Sequence, residues 1–367
     1  MSTDQPSSPD PAPASEPPIA AVAASRPREP RRIILEQSTR VGRRIAMFGL
    51  LGILGMSVIF NFAMWGQNRT YMNADPQITE HWHSGDVRAM DKIAVIRLSG
   101  TIMRGEGFVK RQIDRVRKDE MVKGVVLRVD SPGGTVTGSH YIYHHLKKLT
   151  AEKKIPLVVS MGSLAASGGY YVSMAVGDQE DSIFAEPTTW TGSIGVIIPN
   201  YDFSAMLEQW KIEDRSFASG PFKQLGSPTR AMSEEGKAVM QTLVDESFKD
   251  FKEIVLQGRP ALANDPTALE KATTGQVFTA KQALELGLVD KLGFVDDAVE
   301  RVKELASLED TAVRVVEYRR PLGLFEAAMG GGQAKASVDL GAILDLTTPR
   351  AYYLFTQLPV LVSGDSR

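Results

Sequence analysis

The chain has 367 residues, no cysteine and a formal net charge of −2. This length accommodates one large domain or two small ones with a sizeable core. The lack of cysteine excludes disulfides, cysteine nucleophiles and thiolate metal sites, and the near-neutral charge argues against a nucleic-acid partner.

The N-terminal sequence predicts a membrane anchor. Residues 1–44 begin rich in Pro, Ala and Ser and end with several arginines, which indicates a disordered segment. The uncharged run 45–65 is long enough to cross a bilayer as a helix of roughly 30 Å. A cleaved secretory signal has a shorter apolar core after a short leader, so this run favours a retained anchor. The arginines predict a cytoplasmic N-terminus and an extracytoplasmic remainder, in a single-pass protein of the inner (cytoplasmic) membrane.

The rest of the chain predicts one globular domain between a stalk and a tail. Residues 66–91 are polar and predict the stalk, and the domain is expected to cover 92–320. Strand-like apolar runs such as 124–129 alternate there with turns and amphipathic helices. This alternation predicts an α/β fold with a largely parallel sheet. The tail, 321–367, has no fixed role: its apolar part predicts packing against a neighbouring subunit or, because it is peptide-like, docking in a substrate groove.

Glycine-rich turns follow two of the predicted strands. Ser167 stands directly before Gly168 and Gly169, and Gly133 and Gly134 close the turn after the preceding strand. Ligands of such folds bind beyond the carboxyl ends of the strands, so the two turns are expected to face each other. Glycine leaves its backbone N–H open to close approach, which suits the stabilisation of an oxyanion beside a serine nucleophile.

A serine nucleophile needs a base, and no histidine follows His145. His140 and His144 share one helix face, but no HExxH-type glutamate accompanies them for a metal site; a Ser-His-Asp triad is a further alternative.

The other candidate base is Lys223, in a turn-rich segment. A lysine has a free pKa of about 10.4, so it acts as a base only where burial disfavours the ammonium. A hydroxyl such as that of Ser193 can hold the neutral amine without adding charge.

The motifs occur in an order that resembles a known family. They read LRVDSPGGTV, MGSLAASGGYYVSMA, TGSIGVI, SGPFKQLGSPTR and VFTAKQALELGLVDKLGFVDDA. Together, from about residue 92 to residue 305, they resemble the signal peptide peptidase A family of serine–lysine proteases. The resemblance implies a crotonase/ClpP-like fold of repeated strand-turn-helix units.

The same resemblance implies a site and an assembly. Ser167 would be the nucleophile, Lys223 the general base and Ser193 the residue that positions the lysine, with Gly134 and Gly168 as the oxyanion hole. No metal or organic cofactor is implied. The chain resembles the short, single-domain form, for which the resemblance suggests a homo-octamer whose Ser167 and Lys223 come from adjacent subunits.

The predicted function is hydrolysis of apolar peptides, such as remnant signal peptides or membrane-protein segments. The small residues around the serine predict small side chains near the cut. Two alternatives stay open. A crotonase-type acyl-CoA enzyme would share the fold but would need catalytic carboxylates beside the glycine turns. A protease-like scaffold at the membrane would keep its effect without the serine.

Overall fold

A computed structural model describes residues 39–72, 78–320 and 351–354. The chain divides into two compact units, residues 1–72 and 73–367. In the first unit, helix α1 covers Thr39–Met72. Among the described residues it is the one helix long and apolar enough to cross a membrane, over Gly42–Ala63. The helix contains the predicted anchor, but it also includes residues 39–44, which were predicted to be disordered, and residues 66–72 of the predicted stalk.

The second unit is an α/β domain. Its strands are β1 (Thr79–Gly85), β2 (Asp91–Ser99), β3 (Val122–Ser131), β4 (Gly133–Thr135), β5 (Leu157–Ala166), β6 (Ile183–Ala185), β7 (Trp190–Gly192), β8 (Val277–Thr279), β9 (Lys291–Leu292), β10 (Val313–Arg319) and β11 (Tyr352–Leu354). Its helices are α2 (Phe108–Lys118), α3 (Val136–Lys153), α4 (Gly168–Ser173), α5 (Ser204–Gln209), α6 (Glu234–Gly258), α7 (Pro266–Ala272), α8 (Ala280–Glu285) and α9 (Val295–Leu305), with short 3-10 helices at Met174–Val176 and Pro260–Asn264.

Most of these strands form one sheet in the order β1-β10-β2-β3-β5-β6-β9. The neighbours from β10 to β9 run parallel, whereas β1 is antiparallel to β10. Strand β7 pairs in parallel with the end of β5, and β8 pairs antiparallel with β7. The predicted α/β class with a mostly parallel sheet is confirmed.

Both faces of the sheet are covered, which explains why its central strands are apolar almost throughout. In β2, Ala94 and Ile96 belong to the larger core cluster with α3 and α6, whereas Ile93 and Val95 pack in a second cluster with α9. The covered sheet holds the ends of β3 and β5 rigidly side by side.

The stalk prediction for 66–91 was wrong at its C-terminal end, because residues 79–85 form β1 at the edge of the sheet. Lys92 fixes this edge: its ammonium contacts the carboxylates of Glu80 at 2.9 Å and Asp119 at 3.0 Å. The polar residues that indicated a stalk are therefore the polar side chains of a half-exposed edge strand. Of the predicted tail, residues 351–354 form β11 and the remainder lies outside the described residues.

Candidate active site

Ser167 occupies a sharp turn between β5 and α4. Its backbone has φ 53° and ψ −112°, in the left-handed half of conformational space that L-residues rarely adopt. Its N–H donates to the Gly192 carbonyl at 2.7 Å, and its carbonyl accepts from the Tyr171 N–H at 2.8 Å. Such strain, of order 1–3 kcal/mol, persists where the surroundings enforce it and is concentrated at functional sites. A strand–serine–helix turn of this kind is also how other hydrolases present a nucleophile.

The Ser167 side chain is buried and unpaired. The residue is only 1 % exposed, and its Oγ has no hydrogen-bond partner among the described residues. No described histidine therefore acts on it: His140 instead bonds through Nδ1 to the Tyr171 hydroxyl at 2.8 Å, and His144 is exposed. The described residues also contain no cluster of His, Asp and Glu suited to a metal ion.

The two glycine turns meet beside this serine, as expected from the sequence. A Cβ atom placed on Gly168 would lie 3.1 Å from the Gly134 nitrogen and 2.4 Å from Ser139 Oγ. Gly134 is equally constrained, since a Cβ there would lie 2.0 Å from the Ile102 carbonyl oxygen. Side chains are excluded at both positions, so backbone groups line this part of the site.

Ser193 lies one residue beyond the end of β7. The register pairs Ala166 with Gly192, so Ser167 and Ser193 leave neighbouring parallel strands at the same level. Ser193 also has a positive φ, 52°, and it is buried. Its N–H donates to the Gln276 carbonyl at 2.7 Å, which fixes the turn. The two serines predicted to share a site are therefore neighbours.

Lys223 is in a different environment. It lies on an exposed segment, residues 197–232, which we call the lysine arm. Its backbone N–H donates to the Gly220 carbonyl at 3.2 Å, but its ammonium makes no hydrogen bond or ion pair with any described residue. Within one chain, Lys223 and Ser167 are not hydrogen-bonded.

The lysine arm is ordered by its own polar contacts. Asp214 accepts hydrogen bonds from the Ser216 N–H at 2.9 Å, the Thr229 hydroxyl at 2.6 Å and Arg230 Nε at 2.9 Å. These bonds, with those of Ser216 first, lower the pKa of the Asp214 carboxyl. Large apolar side chains on the arm remain exposed: Tyr201, Phe203, Met206, Trp210, Ile212, Phe217 and Phe222.

Part of the tail forms a strand beside the glycine turns. The sequence had allowed either packing of the tail against a neighbouring subunit or docking in a substrate groove. Strand β11 pairs antiparallel with β4, with Tyr353 opposite Gly134. Tyr352 exchanges both backbone hydrogen bonds with Ile197, at 2.9 and 3.0 Å, and the Ala351 carbonyl accepts from the Val136 N–H at 3.2 Å. The segment is therefore held between two stretches of chain, as a peptide is when it is bound by strand addition.

The Tyr353 carbonyl points into the site. Because Tyr352 bonds to Ile197, the backbone groups of Tyr353 face the opposite side, toward β4. A Cβ placed on Gly133 (φ 97°) would lie 2.1 Å from the Tyr353 oxygen and 2.6 Å from the Gly168 nitrogen, so both groups lie close to Gly133. Gly133 was not among the predicted site residues, although its position in the turn was the available signal.

Comparison with known proteins identifies the family. The sequence model of Peptidase family S49 matches residues 150–309. A putative protease from Synechocystis sp. is 35% identical over 240 residues, which span 65% of this chain and 83% of that protein. The chain belongs to peptidase family S49. This assignment confirms the predicted serine protease family and its signal peptide peptidase-like character.

Further S49 relatives match at similar levels. A putative signal peptide peptidase SppA from Enterococcus faecium is 35% identical over 222 residues, covering 60% of this chain and 62% of that protein. Protease 4 from Salmonella typhi is 37% identical over 225 residues, covering 59% of this chain but 35% of its own length. The matched part includes Ser167, Ser193 and Lys223 in the S49 region, while the tail strand lies beyond it.

Proposed function

We propose that this S49 protein is a membrane-anchored endopeptidase with a Ser167–Lys223 dyad. The observation that carries the proposal is the buried Ser167 hydroxyl, which lies on a strained turn and has no hydrogen-bond partner among the described residues. Next to it are glycine backbone groups that the Tyr353 carbonyl approaches. A serine hydroxyl in this position needs a base to become a nucleophile.

The base comes from a neighbouring copy. Lys223 is exposed and its ammonium makes no hydrogen bond or ion pair with any described residue of its own chain, and the apolar side chains around it are exposed as well. Covering this surface with a second subunit removes water from the amine, which favours its neutral form. A homo-oligomer, of which the octamer is the form we favour, is therefore part of the proposed active enzyme.

The reaction follows from these placements. Ser167 Oγ attacks the peptide carbonyl while Lys223 takes its proton, and the Gly134 and Gly168 N–H groups stabilise the oxyanion. Lys223 then gives the proton to the leaving amine, and water hydrolyses the acyl-enzyme. Ser193, next to Ser167, positions the lysine amine through its hydroxyl.

The substrates we propose are extended apolar peptides, such as remnant signal peptides and membrane-protein segments. The relative from Enterococcus faecium is named a putative signal peptide peptidase. The apolar helix α1 supports the location: it would anchor the chain in the cytoplasmic membrane, with its N-terminus in the cytoplasm and its peptidase domain outside.

The first test is labelling of the detergent-solubilised full chain with a fluorophosphonate at about pH 6–9, a range that brackets a working lysine base. We expect labelling that rises with pH and is lost in both Ser167→Ala and Lys223→Ala. Matched controls are Ser163→Ala, an exposed serine on β5, and Lys211→Ala, a lysine of the same arm; both should label normally. A folded, oligomeric chain that shows no labelling would exclude the proposed dyad.

A further inference from the structure

Ser131 is a buried serine beside the glycine turns that the proposed reaction does not use. It is the last residue of β3, and it is completely buried. Its Oγ donates to the Gly100 carbonyl at 2.7 Å and accepts from the Gly133 N–H at 3.1 Å. Because Pro132 has no N–H, the Gly133 N–H is the first along the chain that this hydroxyl can accept. The Ser131 hydroxyl therefore joins the turn after β3 to a loop after β2.

That loop, residues 100–102, lies along the turn. The Gly100 N–H donates to the Asp130 carbonyl at 3.0 Å, so the loop begins beside the end of β3. At the other end of the loop, the buried Ile102 donates its N–H to the Gly133 carbonyl at 2.8 Å. The loop is therefore fixed at its first residue and bonds to the turn through its last.

The bond from Ile102 sets the direction of the Gly134 N–H. In a trans peptide the C=O and the N–H point in opposite directions. Because the Gly133 carbonyl accepts from Ile102, the Gly134 N–H is directed away from the loop. A Cβ placed on Gly168 would lie 3.1 Å from the Gly134 nitrogen, so this nitrogen lies beside the nucleophile turn. The proposed oxyanion donor is thus aimed by a hydrogen bond on its far side.

Ser131 also packs against the nucleophile turn itself. Strands β3 and β5 pair at Ser131 and Ala165, two residues before Ser167. A Cβ placed on Gly169 would lie 2.9 Å from the Ser131 carbonyl oxygen and 3.4 Å from the Ser131 Cβ. Ser131 therefore lies between the two turns that carry the proposed oxyanion donors, and a shift of this residue changes their separation.

We propose that Ser131 is a positioning residue of the oxyanion hole: through the loop 100–102, its hydroxyl aims the Gly134 N–H at the oxygen of the peptide carbonyl as negative charge develops there. This inference rests on the proposed function. Ser131 touches no reacting atom in this scheme and acts only through the glycine backbone.

Loss of the Ser131 hydroxyl would act on the turn through its hydrogen bonds. The Gly100 carbonyl would lose this donor and the Gly133 N–H would lose this acceptor, and an unpaired buried polar group costs free energy. Movement of the turn relieves that cost. Glycine adopts new backbone angles easily, so the turn follows and carries the Gly134 N–H out of line. The catalytic rate should fall although every proposed catalytic residue is still present.

The test compares kcat and KM of the full oligomeric chain and of Ser131→Ala on an internally quenched peptide of alanine and leucine. An oxyanion donor acts on the transition state more than on the bound substrate. We therefore expect kcat to fall by about 10- to 100-fold while KM stays within about twofold. The matched control is Ser173→Ala. Ser173 is an equally buried serine whose hydroxyl donates to the Gly169 carbonyl of its own helix at 2.9 Å, and its loss should leave kcat within about twofold.

A pair of inhibitors separates positioning from a general loss of structure. The Ser167 hydroxyl adds to a peptide aldehyde: the Oγ–C bond forms, the serine proton ends on the former carbonyl oxygen, and that oxygen occupies the oxyanion hole. The peptide alcohol of the same sequence cannot add. Ser131→Ala should weaken the aldehyde by about the factor lost in kcat and leave the alcohol unchanged. Equal weakening of both inhibitors would show a merely structural role and overturn the inference.

Ser131→Cys is the conservative variant. A thiol is a weak donor and a weak acceptor, and the chain has no other cysteine with which it could pair. Its kcat should lie between those of Ser131→Ala and wild type with KM unchanged, and it carries the test where Ser131→Ala folds poorly. A wild-type kcat in either variant, in a chain that labels at Ser167, would overturn this inference alone. A wild-type chain that neither labels nor cleaves would overturn the proposed function, and this inference with it.

Discussion

The surroundings of Ser167 and of Lys223 differ in burial and in how they are held. Ser167 is buried, strained and held by β5, α4 and β7, whereas Lys223 lies on an arm whose large side chains face solvent. Core packing alone can preorganise the first region, because its neighbours belong to the covered sheet. Hydrogen bonds shape the second region, but its large apolar side chains are not covered by other described residues. The difference fits our proposal that a second subunit completes the site around Lys223, whereas the surroundings of Ser167 are already formed in the single chain.

The largest expected effect tests whether the Ser167 and the Lys223 of one active site come from different chains. Lys223→Ala should lower kcat by about 10³-fold or more, because the serine loses its base. When the Lys223→Ala chain is mixed with the Ser167→Ala chain and reassembled, some sites combine an intact serine with an intact lysine. Fluorophosphonate labelling should then return to about a quarter of the wild-type value for random mixing around a symmetric ring.

The control for this mixture is each variant reassembled with itself, which should remain unlabelled. If both variants assemble but their mixture stays inactive, the dyad forms within one chain, and the exposed arm must move to reach Ser167.

The next largest effect tests how closely Gly168 is packed in the buried part of the site around Ser167. In Gly168→Ala the new methyl group would lie 2.4 Å from Ser139 Oγ, so the turn has to shift. A displacement of about 1 Å at such a site costs about 100-fold in kcat. Adding Ser139→Ala removes the hydroxyl and should recover part of the rate, whereas Ser139→Ala alone should keep most of it. Steady-state kcat of the three variants checks this; no recovery in the double variant would show that the crowding by Ser139 is not the cause.

The two regions also differ in what the sequence could predict. The strands β2, β3 and β5 follow from apolar runs, and the meeting of the glycine turns follows from parallel strands ending at one edge. Both predictions combine a local sequence pattern with the rule that parallel strands end at the same edge of a sheet. Strands β1 and β11 were missed because each is stabilised by a partner far away in the sequence, Val313–Arg319 and Gly133–Thr135. Short polar or isolated aromatic segments carry no periodicity that would reveal such partners.

The residues of the candidate site also differ in how far the sequence could predict their placement. Ser167 and Gly168 follow β5, Ser193 follows β7, and Gly134 lies in β4 directly after β3, so neighbouring strands of one sheet bring the four residues together. The exposure of Lys223 could not be predicted, since a lysine in a turn is typical of both a solvated loop and an interface. The contact between Tyr171 and Phe251 was missed for a third reason: Tyr171 lies in a predicted motif, but Phe251 approaches it only through the packing of α6.

A surface variant of the arm tests the assembly. Phe217 is exposed on the arm, and Phe217→Asp would place a charge in the surface that we expect a neighbour to cover. An unpaired charge in an apolar interface should weaken association by about 10- to 100-fold. Sedimentation at several concentrations, together with labelling at Ser167, measures both consequences. Met90→Asp changes another exposed apolar residue, which lies outside the arm, and should alter neither; if it acts like Phe217→Asp, the interface is not specific to the arm.

The smallest effect concerns the sheet that supports the buried half, and it depends on pH. Burial raises the pKa of Glu317, but hydrogen bonds from Arg319 and Arg97 outweigh it, and the pKa falls below the ordinary 4.5. A carboxyl whose pKa is lowered by folding stabilises the folded state above its unfolded pKa, and this contribution is lost as the pH falls through the folded value.

Glu317→Gln should therefore lower the free energy of unfolding by about 1–2 kcal/mol at neutral pH. The difference from wild type should shrink below about pH 4.5, because acid protonates the wild-type carboxyl as well. Denaturant unfolding at several pH values checks this, with Glu309→Gln, an exposed carboxyl near the C-terminal end of α9, as control. Assembly and labelling at Ser167 should change little at neutral pH. A difference that instead grew in acid would mean that the two arginines do not stabilise the Glu317 carboxylate.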